Sequence, residues 1–130
     1  MLVSLCRAKV HRATVTQTEL DYPGSLTLDR NLIEAGGFYL YEQVSIVNIT
    51  NGARLETYII EGERGSGMVC LNGAAARLAQ RGDLVIVMAY GLFQPQEIPQ
   101  DYKATVVHVD KQNQITIVER GETHGKMQVG

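Results

Sequence analysis

Apolar and polar residues alternate along most of this chain with a period of two, the repeat of a strand with one buried face. LVSLCRAKV and VHRATVT lead into a Pro-Gly turn at Pro23-Gly24, and VSIVNIT and ARLETYII flank Asn51-Gly52. Asn-Gly between two strand-like runs predicts a tight hairpin. GMVCL, LVIVMAY, ATVVHV and QITIVE follow, with a second hairpin turn expected at Asp110-Lys111-Gln112-Asn113. Two short segments break the alternation. Asp29 can cap LIEA, with Gly36-Gly37 as its stop, and AAARLAQR reads as a helix running to Gly82. Both are too short to cover a parallel sheet. The fold class is therefore mainly β, a small sandwich or barrel with two short helices.

At 130 residues the chain is expected to form a single domain, 1–130, with one real core. Hydrophobic residues make up 45% and charged residues 20%, a globular rather than a disordered balance. Twelve Lys and Arg against fourteen Asp and Glu leave a net charge of −2, which argues against a nucleic-acid partner. The start MLVSLCRAKVH lacks the apolar core and cleavage site of a signal peptide. The longest apolar run, 84–93, is roughly half the length of a membrane-spanning helix. Cys6 and Cys70, the only cysteines, fit no metal or redox spacing. No membrane association is expected, and a cytoplasmic location is. The polar, glycine-rich end from about Gly121 is expected to fray.

Candidate chemistry is scattered. Side chains two apart on a strand share a face, so Arg7, Lys9 and His11 should point one way. Arg54, Glu56 and Tyr58 should do the same, with Thr57 opposite. From the residues alone, each set reads first as a solvated strand face. Asn72-Gly73-Ala74-Ala75-Ala76 opens a helical segment, whose free N–H groups can hold a carboxylate or simply start a helix. Gly24-Ser25 has two readings as well. It can be a corner, or the serine hydroxyl can attack the glycine carbonyl, turning the amide into an ester. Elimination then leaves dehydroalanine, which hydrolyses to a pyruvoyl group. Glycine before the serine removes the Cβ that would crowd the attack.

Taken in order, several segments resemble the aspartate 1-decarboxylase family, the small pyruvoyl-dependent enzymes that make β-alanine for pantothenate and coenzyme A. They are Lys9-Val10-His11-Arg12, Tyr22-Pro23-Gly24-Ser25, Thr50-Asn51-Gly52, Arg54, Thr57-Tyr58, Glu63-Arg64-Gly65-Ser66 and Asn72-Gly73-Ala74-Ala75-Ala76. The resemblance runs from the N-terminus to about Tyr90 and is loose beyond it. It implies a double-psi β-barrel and self-cleavage between Gly24 and Ser25. The products would be a β chain, 1–24, and an α chain, 25–130, that begins with a pyruvoyl made from Ser25. It implies a homotetramer with active sites between subunits. No pyridoxal phosphate and no metal would be bound, because a Schiff base between L-aspartate and the pyruvoyl accepts the electrons released with CO₂.

The resemblance also distributes roles. Arg54 would grip a substrate carboxylate with its planar fork. Lys9 and His11 would add positive potential around the pyruvoyl. Thr57 would donate to the Gly24 carbonyl during cleavage and contact substrate afterwards. Gly73, Ala74 and Ala75 would hold substrate through main-chain N–H groups, with Asn72 orienting the intermediate. Tyr58 would deliver the proton that quenches the carbanion. The alternative is an unprocessed β-barrel binding or adaptor module. Metal-dependent hydrolysis through His11, His108 and His124 is the weaker enzyme reading, since those histidines have no ligand spacing.

Overall fold

The computed structural model describes residues 1–122. Among the described residues there are nine strands: β1 (Val3–Thr14), β2 (Gln17–Glu19), β3 (Ser25–Asp29), β4 (Gln43–Asn48), β5 (Arg54–Gly62), β6 (Val69–Asn72), β7 (Leu84–Phe93), β8 (Thr105–Val109) and β9 (Ile115–Arg120). They form one sheet in the order β2-β6-β3-β5-β4-β7-β1-β8-β9. The pairs β1·β8, β2·β6 and β3·β5 are parallel and the others antiparallel. Strands near both ends of that order, β6 and β8, feed a single core with the strands between, which includes Val10, Leu26, Leu28, Ile46, Ile59, Leu71, Val87 and Val107. A sheet whose β6 and β8 share one core has curled, consistent with a small barrel. Leu26, Leu28, Ile46, Ile59 and Leu71 have no residual exposure. Each such side chain contributes about 1.5–3 kcal/mol through burial.

The first helix forms as its signals predict. The side chain of Asp29 accepts from the Asn31 N–H at the start of α1 (Arg30–Gly36), and Gly37 closes it in the left-handed conformation. Asp29 does more than cap. Its carboxylate also accepts from the N–H groups of Gly65 (3.0 Å) and Gly67 (2.8 Å), fastening the β5–β6 connection to the end of β3. Both hairpins are present, β4–β5 around Asn51-Gly52 and β8–β9 around 110–113. Asn113 is buried, and its amide ties that second turn to Thr14 and Gly67.

The second helix is shorter than its sequence suggests. Instead of an α-helix running to Gly82 there is a 3-10 segment, Gly73–Leu78, followed by extended backbone at Ala79. Two asparagines explain the stop. The Leu78 carbonyl accepts from Asn48 Nδ2 at 3.2 Å and Asn51 Nδ2 at 3.0 Å, which takes the place of further helical hydrogen bonds. Ala79 then turns into the core. A further 3-10 turn lies at Pro95–Glu97. Among the described residues no helix is long and apolar enough to cross a membrane. Residues 123–130, which include His124 and most of the expected frayed end, lie outside the described residues. Within that end, Gly121 N–H donates to the Ala104 carbonyl and Glu122 pairs with Lys9.

Candidate active site

The centre of the candidate site is the start of β3. Ser25 stands opposite Asn72 in the antiparallel β3·β6 ladder, and paired residues in a ladder present their side chains to the same face. Asn72 Nδ2 donates to Ser25 Oγ at 2.9 Å and to Thr27 Oγ1 at 2.9 Å. The Cys70 thiol donates to Asn72 Oδ1 at 3.2 Å. Three side chains thus fix the asparagine amide, and the amide fixes the serine oxygen. Ser25 Oγ in turn donates to the Pro23 carbonyl at 3.1 Å. Only 1% of Ser25 and 2% of Asn72 is exposed, so these polar groups are buried and satisfied. Burial pushes the Cys70 thiol up, keeping it protonated and a donor.

Asn72 occupies the position that would cap the 3-10 segment, yet its side chain makes no cap hydrogen bond. The amide is turned to the serine instead. Gly73 follows with φ of +65°. A Cβ there would lie 2.6 Å from Gly24 Cα, 2.7 Å from Gly24 N and 2.9 Å from the Tyr22 carbonyl. The Gly24 backbone therefore rests in the space that a side chain at 73 would fill. A Cβ on Gly24 itself would meet only the Asn72 carbonyl, at 3.9 Å. The peptide before Ser25 is backed on one side and open on the other.

β5 supplies the second wall. The parallel β3·β5 ladder begins at Leu26↔Ile59, so Ser25 and Tyr58 adjoin one position earlier. Leu26 and Ile59 face the core, which places Ser25 and Tyr58 together on the opposite face. Thr57 lies on the core-facing side, half-buried, two residues before the first pair of the ladder. Arg54 and Glu56 share the exposed face with Tyr58, as the alternation predicted. Arg54 is roughly 13 Å along the strand from Tyr58. Among the described residues its guanidinium has no hydrogen-bond or ion-pair partner. In the 3-10 segment Gly73 and Ala75 are buried, and Ala74 is exposed.

Lys9 and His11 are elsewhere. β1 is separated from β3 by β5, β4 and β7, so within one chain neither residue joins the Ser25 cluster. Lys9 Nζ pairs with Glu122 at 2.9 Å. His11 lines a cleft of about 600 Å³ with Arg12, His108 and Lys111, its ring edge-on to His108 at 5.5 Å between centroids. Burial, then the charges of Lys9, His108 and Arg12, push the His11 pKa down. The shift favours the neutral ring. Of the three histidines considered for a metal, His11 and His108 meet and His124 lies outside the described residues. Among the described residues no group of three or more His, Cys, Asp or Glu is placed to hold a metal ion.

Comparison with known proteins decides the family. The model of the family described as aspartate decarboxylase matches residues 1–116. The chain belongs to the aspartate decarboxylase family. An aspartate 1-decarboxylase of Leptospira biflexa is 55% identical over 113 residues, covering 87% of this chain and 96% of that protein. One of Ruminiclostridium cellulolyticum is 54% identical over 127 residues, 98% of each chain. One of Acetivibrio thermocellus is 49% identical over 127 residues, 98% of this chain and all of the other. Family membership makes this chain a carboxy-lyase, and removes the adaptor reading from consideration.

The contacts around Asn72 were not legible beforehand. Ser25 and Thr27, and Cys70 and Asn72, are each two apart, so each pair was readable as sharing a face. Nothing in the alternation says that the two faces meet.

Proposed function

We propose that this chain cuts its own Gly24–Ser25 bond and then decarboxylates L-aspartate to β-alanine and CO₂, in the cytoplasm, supplying pantothenate and coenzyme A synthesis. The observation that carries the reading is the buried Ser25 hydroxyl, held by Asn72 beside a peptide that rests on Gly73. A hydroxyl fixed next to the bond it would attack favours an intramolecular step. Ser25 Oγ adds to the Gly24 carbonyl carbon, the C–N bond breaks, and the proton of the hydroxyl ends on the freed amine. Loss of the Ser25 α-proton expels the Gly24 carboxylate and leaves dehydroalanine. Water then adds, ammonia leaves, and residue 25 ends as a pyruvoyl group at the head of 25–130. No oxidant and no other reactant is needed.

The surroundings suit that group. The open side of Gly24 gives the peptide room to rearrange, and Thr57 would donate to its carbonyl as charge develops. Once formed, the pyruvoyl supplies an acceptor for the electron pair that CO₂ leaves behind. The chain's own residues do the rest. Tyr58, on the face of residue 25, delivers a proton to the substrate α-carbon. Arg54, without a protein partner among the described residues, takes a substrate carboxylate. The N–H groups of Gly73, Ala74 and Ala75 hold the other end, and Asn72 keeps its amide on the reacting centre.

Lys9 and His11 are three strands away from this cluster, so they serve the site only if a second copy brings them. Such sharing agrees with sites between subunits, in the homotetramer that the family resemblance implies. Exposed Tyr39, Tyr90 and Leu92 supply apolar surface for such contacts.

Tyr58→Phe tests the assignment of the proton donor. It removes one oxygen from an exposed position, so cleavage at Gly24–Ser25 should proceed while β-alanine formation falls by roughly 10²–10⁴-fold. Full maturation with normal turnover of aspartate would mean that another group delivers the proton.

A further inference from the structure

Tyr41 has φ of +67°, a conformation in which a bulky aromatic residue is out of place. Glycine or asparagine would sit there at little cost. Strain of this kind survives only where the surroundings over-determine it, and here they do. Tyr41 N–H donates to the Ile59 carbonyl at 2.7 Å, and Ile59 N–H donates to the Glu42 carbonyl at 3.1 Å. Glu42 is gripped by both Nε and Nη2 of Arg7, and it also accepts from the Tyr39 N–H at 2.9 Å. Arg7 Nη1 reaches the Gly37 carbonyl at 3.0 Å, and the guanidinium lies 5.5 Å from the centre of the Tyr39 ring. The corner 37–42 is thereby latched to β1 through Arg7 and to β5 at the residue that follows Tyr58.

The latch has a visible result. The ring of Tyr41 lies on the ring of Tyr58, with centroids 5.9 Å apart and planes 22° apart. This is an offset stack, the favourable geometry for two aromatic rings. Tyr41 is otherwise 75% exposed, so packing into the core does not account for the residue. Tyr58 is 36% exposed, and its stack with Tyr41 is an aromatic contact that holds its ring.

We infer that Tyr41 is a positioning residue, held in a strained corner by the Arg7–Glu42 latch so that its ring fixes the Tyr58 hydroxyl over the reacting centre. This rests on Tyr58 being the proton donor. Tyr41→Asn is the informative variant, because asparagine relieves the backbone and removes only the stack. Self-cleavage and thermal stability should be retained. Turnover per matured site should fall roughly two- to ten-fold, the equivalent of one lost aromatic pair, with KM steady. Tyr41→Phe keeps the ring and should recover most of the turnover. In a Tyr58→Phe background, Tyr41→Asn should cause no further loss.

The outcomes separate cleanly. If Tyr58→Phe is impaired while Tyr41→Asn turns over normally, the positioning role is overturned and the proton donor stands. Equal losses from Tyr41→Asn in both backgrounds would also overturn it, since the residue would then act through something other than Tyr58. If Tyr58→Phe itself is fully active, both assignments fall together.

Discussion

Replacing Gly73 by alanine should damage the Gly24–Ser25 turn more than replacing Gly24 itself. The left-handed backbone at 73 costs an alanine about 1–2 kcal/mol. Its Cβ would also lie 2.6 Å from Gly24 Cα and 2.7 Å from Gly24 N, backbone atoms that can give way only by shifting the chain. Overlap of this kind typically adds about 1–3 kcal/mol. The sum, about 2–5 kcal/mol, should lower the midpoint of thermal unfolding by on the order of 10 °C for a chain of this size. Part of the overlap can be relieved by moving Gly24 away from the Asn72–Ser25 hydrogen bond, and cleavage should slow accordingly. Gly24→Ala has no such collision, since its Cβ would meet only the Asn72 carbonyl at 3.9 Å. It should fold with little loss and still cleave slowly, because the methyl group crowds the attacked carbonyl. The assay is thermal unfolding at fixed protein concentration, with a time course of denaturing electrophoresis on the same samples. Wild-type stability and wild-type cleavage in Gly73→Ala would refute the view that Gly73 carries the Gly24 backbone.

Arg54→Lys keeps the charge but loses the fork, so KM for aspartate should rise more than kcat falls; unchanged kinetics would place the carboxylate on another residue. Glu34 has a pKa of about 2, held down chiefly by its two-pronged hydrogen bonds from Arg64 and then by Arg30. A depressed carboxylate stabilises the fold above its unfolded pKa and loses that contribution as pH falls through its folded one. The small stability difference between wild type and Glu34→Gln should thus be constant above about pH 4.5, shrink toward zero near pH 2, and weaken in high salt. A difference that grows on acidification would contradict the pairing.

Features carried by neighbouring residues were legible in the sequence. Asn51-Gly52 makes its hairpin through local turn geometry, and Asp29 with Gly37 brackets α1 through local caps. The face shared by Arg54, Glu56 and Tyr58 follows from alternation alone. Features made by partners distant in the chain were not. The alanine-rich stretch after Gly73 has the propensity of an α-helix, but Asn48 and Asn51 end it by taking the Leu78 carbonyl. Ser25 opposite Asn72, and Tyr58 beside Ser25, depend on strand pairing, which a period-two pattern leaves free. The stack of Tyr41 on Tyr58 depends on a backbone conformation that no propensity favours for tyrosine. The residue types of the site were readable in order along the chain; which of them share one chain's cluster was not. Lys9 and His11 stand apart from Ser25 because β5, β4 and β7 lie between.

The central claim is that Ser25 is a precursor of the catalytic group, and intact mass under denaturing conditions tests it most directly. Purified wild-type protein should resolve into 1–24 and 25–130, with the larger fragment carrying a pyruvoyl in place of its serine. Ser25→Ala, which has no attacking oxygen, should stay one chain of 130 residues and make no β-alanine. A wild-type protein that forms β-alanine from aspartate while every chain remains whole would contradict the account.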